Sequence, residues 1–208
     1  PDAVSFSLAS GPIAANTIAP SNTGLPVVSG TTVSGSVLST TDGSWTGTSP
    51  ITYAYQWQTC STVDCSGGTV TNVGTNSASL TLSPSHVGTY VRVQVTAHNG
   101  AADVTATSTP TAVITGLALT PTLGAPVSTA DGYTFTITNY DTAFTWAGTA
   151  TNGGAVGIVN NNDGTATATV TNLTPSSSAT ATITTTRANY PTGTSTVTGT
   201  AKAAPPAG

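Results

Sequence analysis

Glutamate and methionine are absent from this chain, and charge of either sign is scarce. Two Arg, one Lys and seven Asp are all the ionic side chains among 208 residues, 5% of the total, where soluble proteins average roughly 25%. Three cations cannot neutralise a run of phosphates, which excludes nucleic acid and anionic membrane surfaces as partners. They also leave a trypsin-like protease three cut points. No apolar run reaches the roughly 18 residues that a membrane-crossing helix needs, so no membrane insertion is expected. Helical periodicity is missing as well. Polarity falls to Thr, Ser, Asn and Gly, so hydration must rest on hydroxyls and amides. The chain opens on Pro1 without Met or a signal-peptide pattern, the opening of a processed product or of a piece of something longer.

The groups that carry chemistry are equally few. Cys60 and Cys65 are the only cysteines. Four residues separate them, so both lie in one loop and cannot form a bridge between two sheets. A local disulfide is expected, worth about 2 kcal/mol in chain entropy, and it favours an oxidising compartment. Metal or redox use would need more ligands or a Cys-x-x-Cys spacing. His86 and His98 stand at opposite ends of one predicted strand, roughly 30 Å apart at the strand rise, and cannot share a metal. Both histidines read as solvated turn residues, and His98 near Asp103 makes no catalytic pair: no Gly-x-Ser-x-Gly motif supplies a nucleophile and no Glu a partner acid. No catalytic, cofactor-binding or metal-binding residue is therefore expected, and no cofactor. Asn160-Asn-Asn-Asp-Gly164 lacks the downstream Glu of a calcium loop and reads as a hairpin turn. Asn172-Leu-Thr174 is a glycosylation sequon. Lys202, the only lysine, falls outside the predicted strands, so an internal Lys–Asn crosslink is not expected.

What is present is period-2 alternation. Tyr53, Tyr55 and Trp57 alternate with Thr52, Ala54 and Gln56, and Val91, Val93, Val95 and Ala97 alternate with Arg92 and Gln94, each run marking one buried face. Pro26 to Ser39 supplies two strands, Asp42-Gly43 a turn, His98-Asn99-Gly100 another, and Asp103 to Ile114 a strand. A second set follows the joint at 115–121. Tyr133, Phe135 and Ile137 share a face, as do Phe144 and Trp146. Asp163-Gly164 turns the chain into Ala166, Ala168 and Val170. Leu173-Thr-Pro175 makes a corner before a strand from Ala179 to Thr186. Tyr53, Tyr55, Trp57, Phe135 and Trp146 are expected in the core, whereas Tyr90, Tyr140 and Tyr190 are the candidates for exposure and for stacking a glycan.

The reading is all-β: two tandem immunoglobulin-like or fibronectin-III-like β-sandwiches with an N-terminal extended strand. Its parts are 1–17 (strand and connector), 18–115, 116–202 and a Pro/Ala tail at 203–208. Through Leu25-Pro-Val-Val-Ser-Gly30, Ser44-Trp-Thr-Gly47, Tyr55-Gln-Trp-Gln-Thr-Cys60 and Val87-Gly with Val91-Arg-Val93 and Val95-Thr-Ala97, residues 18–114 resemble the immunoglobulin-like repeats of large bacterial surface and secreted proteins and of some virion proteins. Residues 116–202 resemble bacterial surface repeats of fibronectin-III pattern, through Ala130-Asp-Gly-Tyr-Thr-Phe, Thr138-Asn-Tyr-Asp141, Phe144-Thr-Trp146 and Leu173-Thr-Pro175. That resemblance implies spacers, stalks and adhesive surfaces outside the cell or on its surface, with no catalytic residues to carry over.

The expectation is a non-enzymatic structural protein, a repeating subunit or stalk segment of a bacterial surface filament. Its partners are copies of itself or neighbouring surface modules. The alternatives are an adhesive or carbohydrate-binding module with a glycan partner, and a virion decoration or tail protein. Ala3 to Ala9 is amphipathic and must pair with something, since a lone strand leaves its backbone unsatisfied. It is either a strand of its own or a preceding module, or a donor strand whose Val4, Phe6 and Leu8 add to a neighbouring copy.

Overall fold

The computed structural model describes residues 17–206. Two compact units divide the described residues: 17–31, Ser36–Thr81 and Thr89–Ala112 belong to one, while Thr32–Gly35, Leu82–Gly88 and 113–206 belong to the other. The two short segments, which the sequence places in the first domain, are thus counted with the second.

Among the described residues the first unit carries β1 (Ser21–Gly24), β2 (Val28–Ser29), β3 (Val37–Thr40), β4 (Ser44–Thr46), β5 (Thr52–Cys60), β6 (Val70–Val73), β7 (Ser79–Thr81), β8 (Tyr90–His98) and β9 (Asp103–Thr107). They form a three-stranded sheet β2-β3-β7, a four-stranded sheet β6-β5-β8-β9 and the pair β1-β4. Alternation dictates the inner faces. Trp57, Val91, Val93, Val95 and Ala97 of the larger sheet are fully buried, with Leu38 and Leu80 inward from the smaller one. The Trp57 indole N–H donates to the Ser77 carbonyl at 2.9 Å, as a buried indole must find a partner.

Three expectations need correction here. Tyr53 and Tyr55 sit on the predicted face but are only half-buried. The Tyr53 ring leans on Trp45 at 6.3 Å and the Tyr55 hydroxyl donates to the Asp42 carboxylate, so the phenols border water where their polar ends are served. Ser21–Gly24, for which the sequence marks no strand, is one. It has no apolar alternation to announce it, and its pairing with β4 is reinforced by the Asn22 amide donating to Gly24 and Ser44 carbonyls. The strand expected from Asp103 to Ile114 stops at Thr107. Pro110 has no N–H to give, and only Ser108 and Thr111 continue bonding to β8, through the Val93 and Val91 carbonyls.

The second unit carries β10 (Val127–Thr129), β11 (Gly132–Ile137), β12 (Thr145–Ala150), β13 (Ala155–Asn160), β14 (Ala166–Thr171), β15 (Ser178–Arg187) and β16 (Tyr190–Thr200). Sheet β10-β11-β14-β13 and sheet β12-β15-β16 enclose one core of Tyr133, Phe135, Ile137, Ala166, Ala168, Val170, Ala181 and Ile183. The fourth strand marks the difference between the units. In the first, β6 hairpins onto β5. In the second, β13 instead leaves β12 and pairs with β14, giving the four-plus-three order of immunoglobulin constant-type sandwiches. Gly148 of β12 leaves space for the Val156 side chain of β13, since a Cβ there would fall 2.5 Å from it.

The outer face of β15 and β16 is a run of hydroxyl rungs: Ser178 faces Thr200, Thr180 faces Thr198, Thr182 faces Thr196 and Thr184 faces Thr194. The first two pairs bond hydroxyl to hydroxyl at 2.7 and 2.8 Å. Thr96 and Thr105 of β8 and β9 do the same at 2.9 Å. Each such cross-strand pair contributes about 0.2–1 kcal/mol.

Candidate functional site

The residues singled out by sequence are scattered over the two units. Cys60 and Cys65 form the expected disulfide, with Cα atoms 5.1 Å apart. Cys65 takes a left-handed backbone, φ 56°, to close so short a loop. Val4, Phe6 and Leu8 lie outside the described residues. His98 Nδ1 meets the Asp103 carboxylate across the β8–β9 register, where both side chains are more than half exposed. His86 is not a solvated turn residue: it is half-buried in a 3-10 turn, Pro84–His86, and its Nδ1 accepts the Ser83 N–H at 3.1 Å. Burial holds its imidazole below the ordinary value. Asn172 of the sequon is exposed, and Lys202 follows the end of β16.

The tyrosines expected at the surface are all half-buried, because each has found a ring or a strand to rest on. Tyr90 opens β8 opposite Cys60. Tyr190 meets Phe144 edge-on at 5.3 Å, and the Arg187 guanidinium lies over both rings, 4.6 Å from Tyr190 and 5.4 Å from Phe144. The basic side chain thus covers two rings that would otherwise face water. Phe144 falls just outside β12. Trp146, expected in the core, packs against it yet stays partly exposed, because its other contact is Tyr140, stacked at 4.9 Å and 24°.

Tyr140 and Asp141 form one wall of a cleft of about 380 Å³, lined further by Thr142, Asn160, Asn162 and Gly164. Two turns at one end of the second sandwich make it, 138–144 between β11 and β12 and 161–165 between β13 and β14. The Tyr140 N–H donates to the Gly164 carbonyl at 2.9 Å and ties them together. Asp141 is fixed twice, its carboxylate accepting the Ala143 N–H at 2.8 Å and its carbonyl the Trp146 indole N–H at 2.9 Å. Asn160 braces the opposite turn by accepting the Asn162 N–H at 2.8 Å. Asn162 stands at φ 61°, a conformation Asn tolerates better than other side chains. The sequence marks the turn at 160–164, and nothing in it brings residues 138–144 alongside.

Among the described residues no helix is long and apolar enough to cross a membrane. The sheets define an all-β protein with sandwich layering of the immunoglobulin and fibronectin-III kind. No family model and no curated protein matches the chain. Solved structures do show similarity. The chicken CNTN1 FN1–FN3 domains align over 88% of this chain and 69% of theirs at 14% identity and a TM-score of 0.30. A chimeric titin Z1Z2 carrying an exogenous decorin peptide aligns over 91% of this chain and 100% of its own, again at 14% and 0.30. At that distance the architecture rests on the strand pairing described above.

Proposed function

We propose that this chain is a non-enzymatic structural module of an extracellular assembly, a repeating subunit or stalk segment of a bacterial surface filament or appendage. The observation that carries the reading is how the polar side chains are used. Hydroxyls pair across strands on the outside of β8–β9 and β15–β16. Inside, the Trp57 indole and the Tyr133 hydroxyl bond to backbone. Such groups stiffen a scaffold and offer no reacting atom. The Cys60–Cys65 bridge suits an oxidising compartment, in keeping with a place outside the cell.

Assembly follows from strand addition: the 3–9 segment, with Val4, Phe6 and Leu8 as its apolar anchors, completes a sheet of a neighbouring copy. The test compares the full chain with a variant lacking residues 1–10, by size-exclusion chromatography with light scattering and by electron microscopy. Ordered oligomers of the full chain that revert to monomers on deletion are the expected result. The same number of chains per particle for both proteins at every concentration would refute assembly by this segment.

A further inference from the structure

We propose that the cleft between turns 138–144 and 161–165 of the second unit binds a neutral carbohydrate, one or two sugar rings in size. This goes beyond the structural role, and its test is independent of assembly.

Size comes first. A volume of about 380 Å³ lies at the small end of the roughly 300–1,000 Å³ range of ligand clefts, enough for a ring or two. Chemistry narrows the class. The lining offers one carboxylate, two primary amides, a threonine hydroxyl and a tyrosine, a set that both accepts and donates hydrogen bonds in close quarters. Vicinal sugar hydroxyls do the same in return, and a hydroxyl given to a carboxylate forms a short, charge-assisted bond.

Asp141 spends one carboxylate oxygen on the Ala143 N–H. Its other oxygen, the Asn160 and Asn162 NH₂ groups and the Thr142 hydroxyl have no hydrogen bond in the structure among the described residues, and all four residues line the cleft. The Tyr140 ring supplies an apolar wall for the C–H face of a sugar. Trp146 serves this arrangement from behind, stacking on Tyr140 while its N–H holds the Asp141 carbonyl. Wall and acceptor are therefore positioned by one side chain before any ligand arrives, which removes part of the ordering cost of binding.

Other ligand classes fit less well. A phosphate or carboxylate ligand would face Asp141, with no Lys or Arg in the lining. Calcium sites draw on several carboxylates among six to eight oxygens, and here there is one. The neighbouring Asp163 carboxylate is taken up by the Thr165 N–H and hydroxyl at 2.9 and 2.6 Å.

The experiment titrates ¹⁵N-labelled full chain with the methyl glycosides of glucose, galactose, mannose and N-acetylglucosamine, each to about 50 mM, in the weak range usual for single sugars and near the millimolar end of the affinity scale. Saturable amide shifts confined to 138–146 and 160–165 with at least one glycoside are expected. Two variants spare the turns. Asp141→Asn keeps the oxygen that accepts the Ala143 N–H and removes the charge. Asn162→Gly keeps the left-handed backbone and removes the amide. Each should weaken binding about tenfold or more with the remaining spectrum unchanged. Absence of saturable shifts with all four glycosides, or unchanged binding in both variants, would overturn the proposal. So would shifts at these amides with calcium chloride and none with any glycoside.

Discussion

Replacing Tyr133 by Phe removes one oxygen atom from the centre of the second unit, and its cost follows from what that oxygen does. The side chain is fully buried. Its hydroxyl donates to the Ala179 carbonyl at 2.9 Å and accepts the Ala181 N–H at 3.1 Å, clamping β11 to the start of β15. Burial raises its phenol above the ordinary tyrosine value. The ring itself would remain, seated over Gly199, where a Cβ would lie 2.4 Å from a ring carbon. Phenylalanine therefore leaves the packing intact and strands a buried N–H, a penalty of about 1–3 kcal/mol. For a module of this size each kcal/mol lowers the melting temperature by roughly 4–8 °C. Urea unfolding followed by circular dichroism should show the lower midpoint at an unchanged slope. A loss below about 0.5 kcal/mol would mean that the Ala181 N–H has found another acceptor, and the clamp argument would fail.

Three further outcomes are expected. Cys60→Ala with Cys65→Ala opens a loop of sequence separation 5 and should cost about 2 kcal/mol; wild-type protein unfolded in dithiothreitol should lose the same amount, and equal midpoints with and without reductant would contradict it. His86 is held below its ordinary value by burial and accepts the Ser83 N–H on Nδ1, so the folded state binds this proton less readily than the unfolded chain. Its contribution is complete above the unfolded value near 6.5 and is lost as pH falls below it; His86→Asn, which retains an acceptor without titrating, should flatten the decline measured by urea midpoints between pH 7 and 5. Arg187→Ala uncovers the Phe144 and Tyr190 rings and should cost about 1 kcal/mol, read by thermal unfolding, whereas Arg187→Lys should restore part of it.

Most of the strand plan is legible in the sequence because period-2 alternation is enforced by burial. Val91, Val93 and Val95, and likewise Ala166, Ala168 and Val170, lie where their spacing puts them. The Asp163-Gly164 turn and the disulfide follow from local chemistry of the same directness. Depth is less legible than face: a tyrosine on the inner side can stop halfway, as Tyr53 and Tyr55 do, when a carboxylate or another ring meets it at the rim. Strand β1 escapes notice because Ser21-Asn-Thr-Gly24 carries no apolar signal and owes its conformation to a partner twenty residues on. The choice of sheet for β6 and β13 is a tertiary matter, since neither strand carries a local signal that says which neighbour it will pair with. The cleft beside Tyr140 joins two turns some twenty residues apart, each ordinary by itself. Only the sandwich brings them to the same end.

The hydroxyl rungs on β15 and β16 have a consequence for where such a molecule can serve. A coat of threonines neither gains nor loses charge across the habitable pH range, and it has almost no field for dissolved ions to damp. Fresh or saline, neutral or mildly acid, the medium would meet this exterior with much the same forces, so any contact the rungs make should change little with either variable.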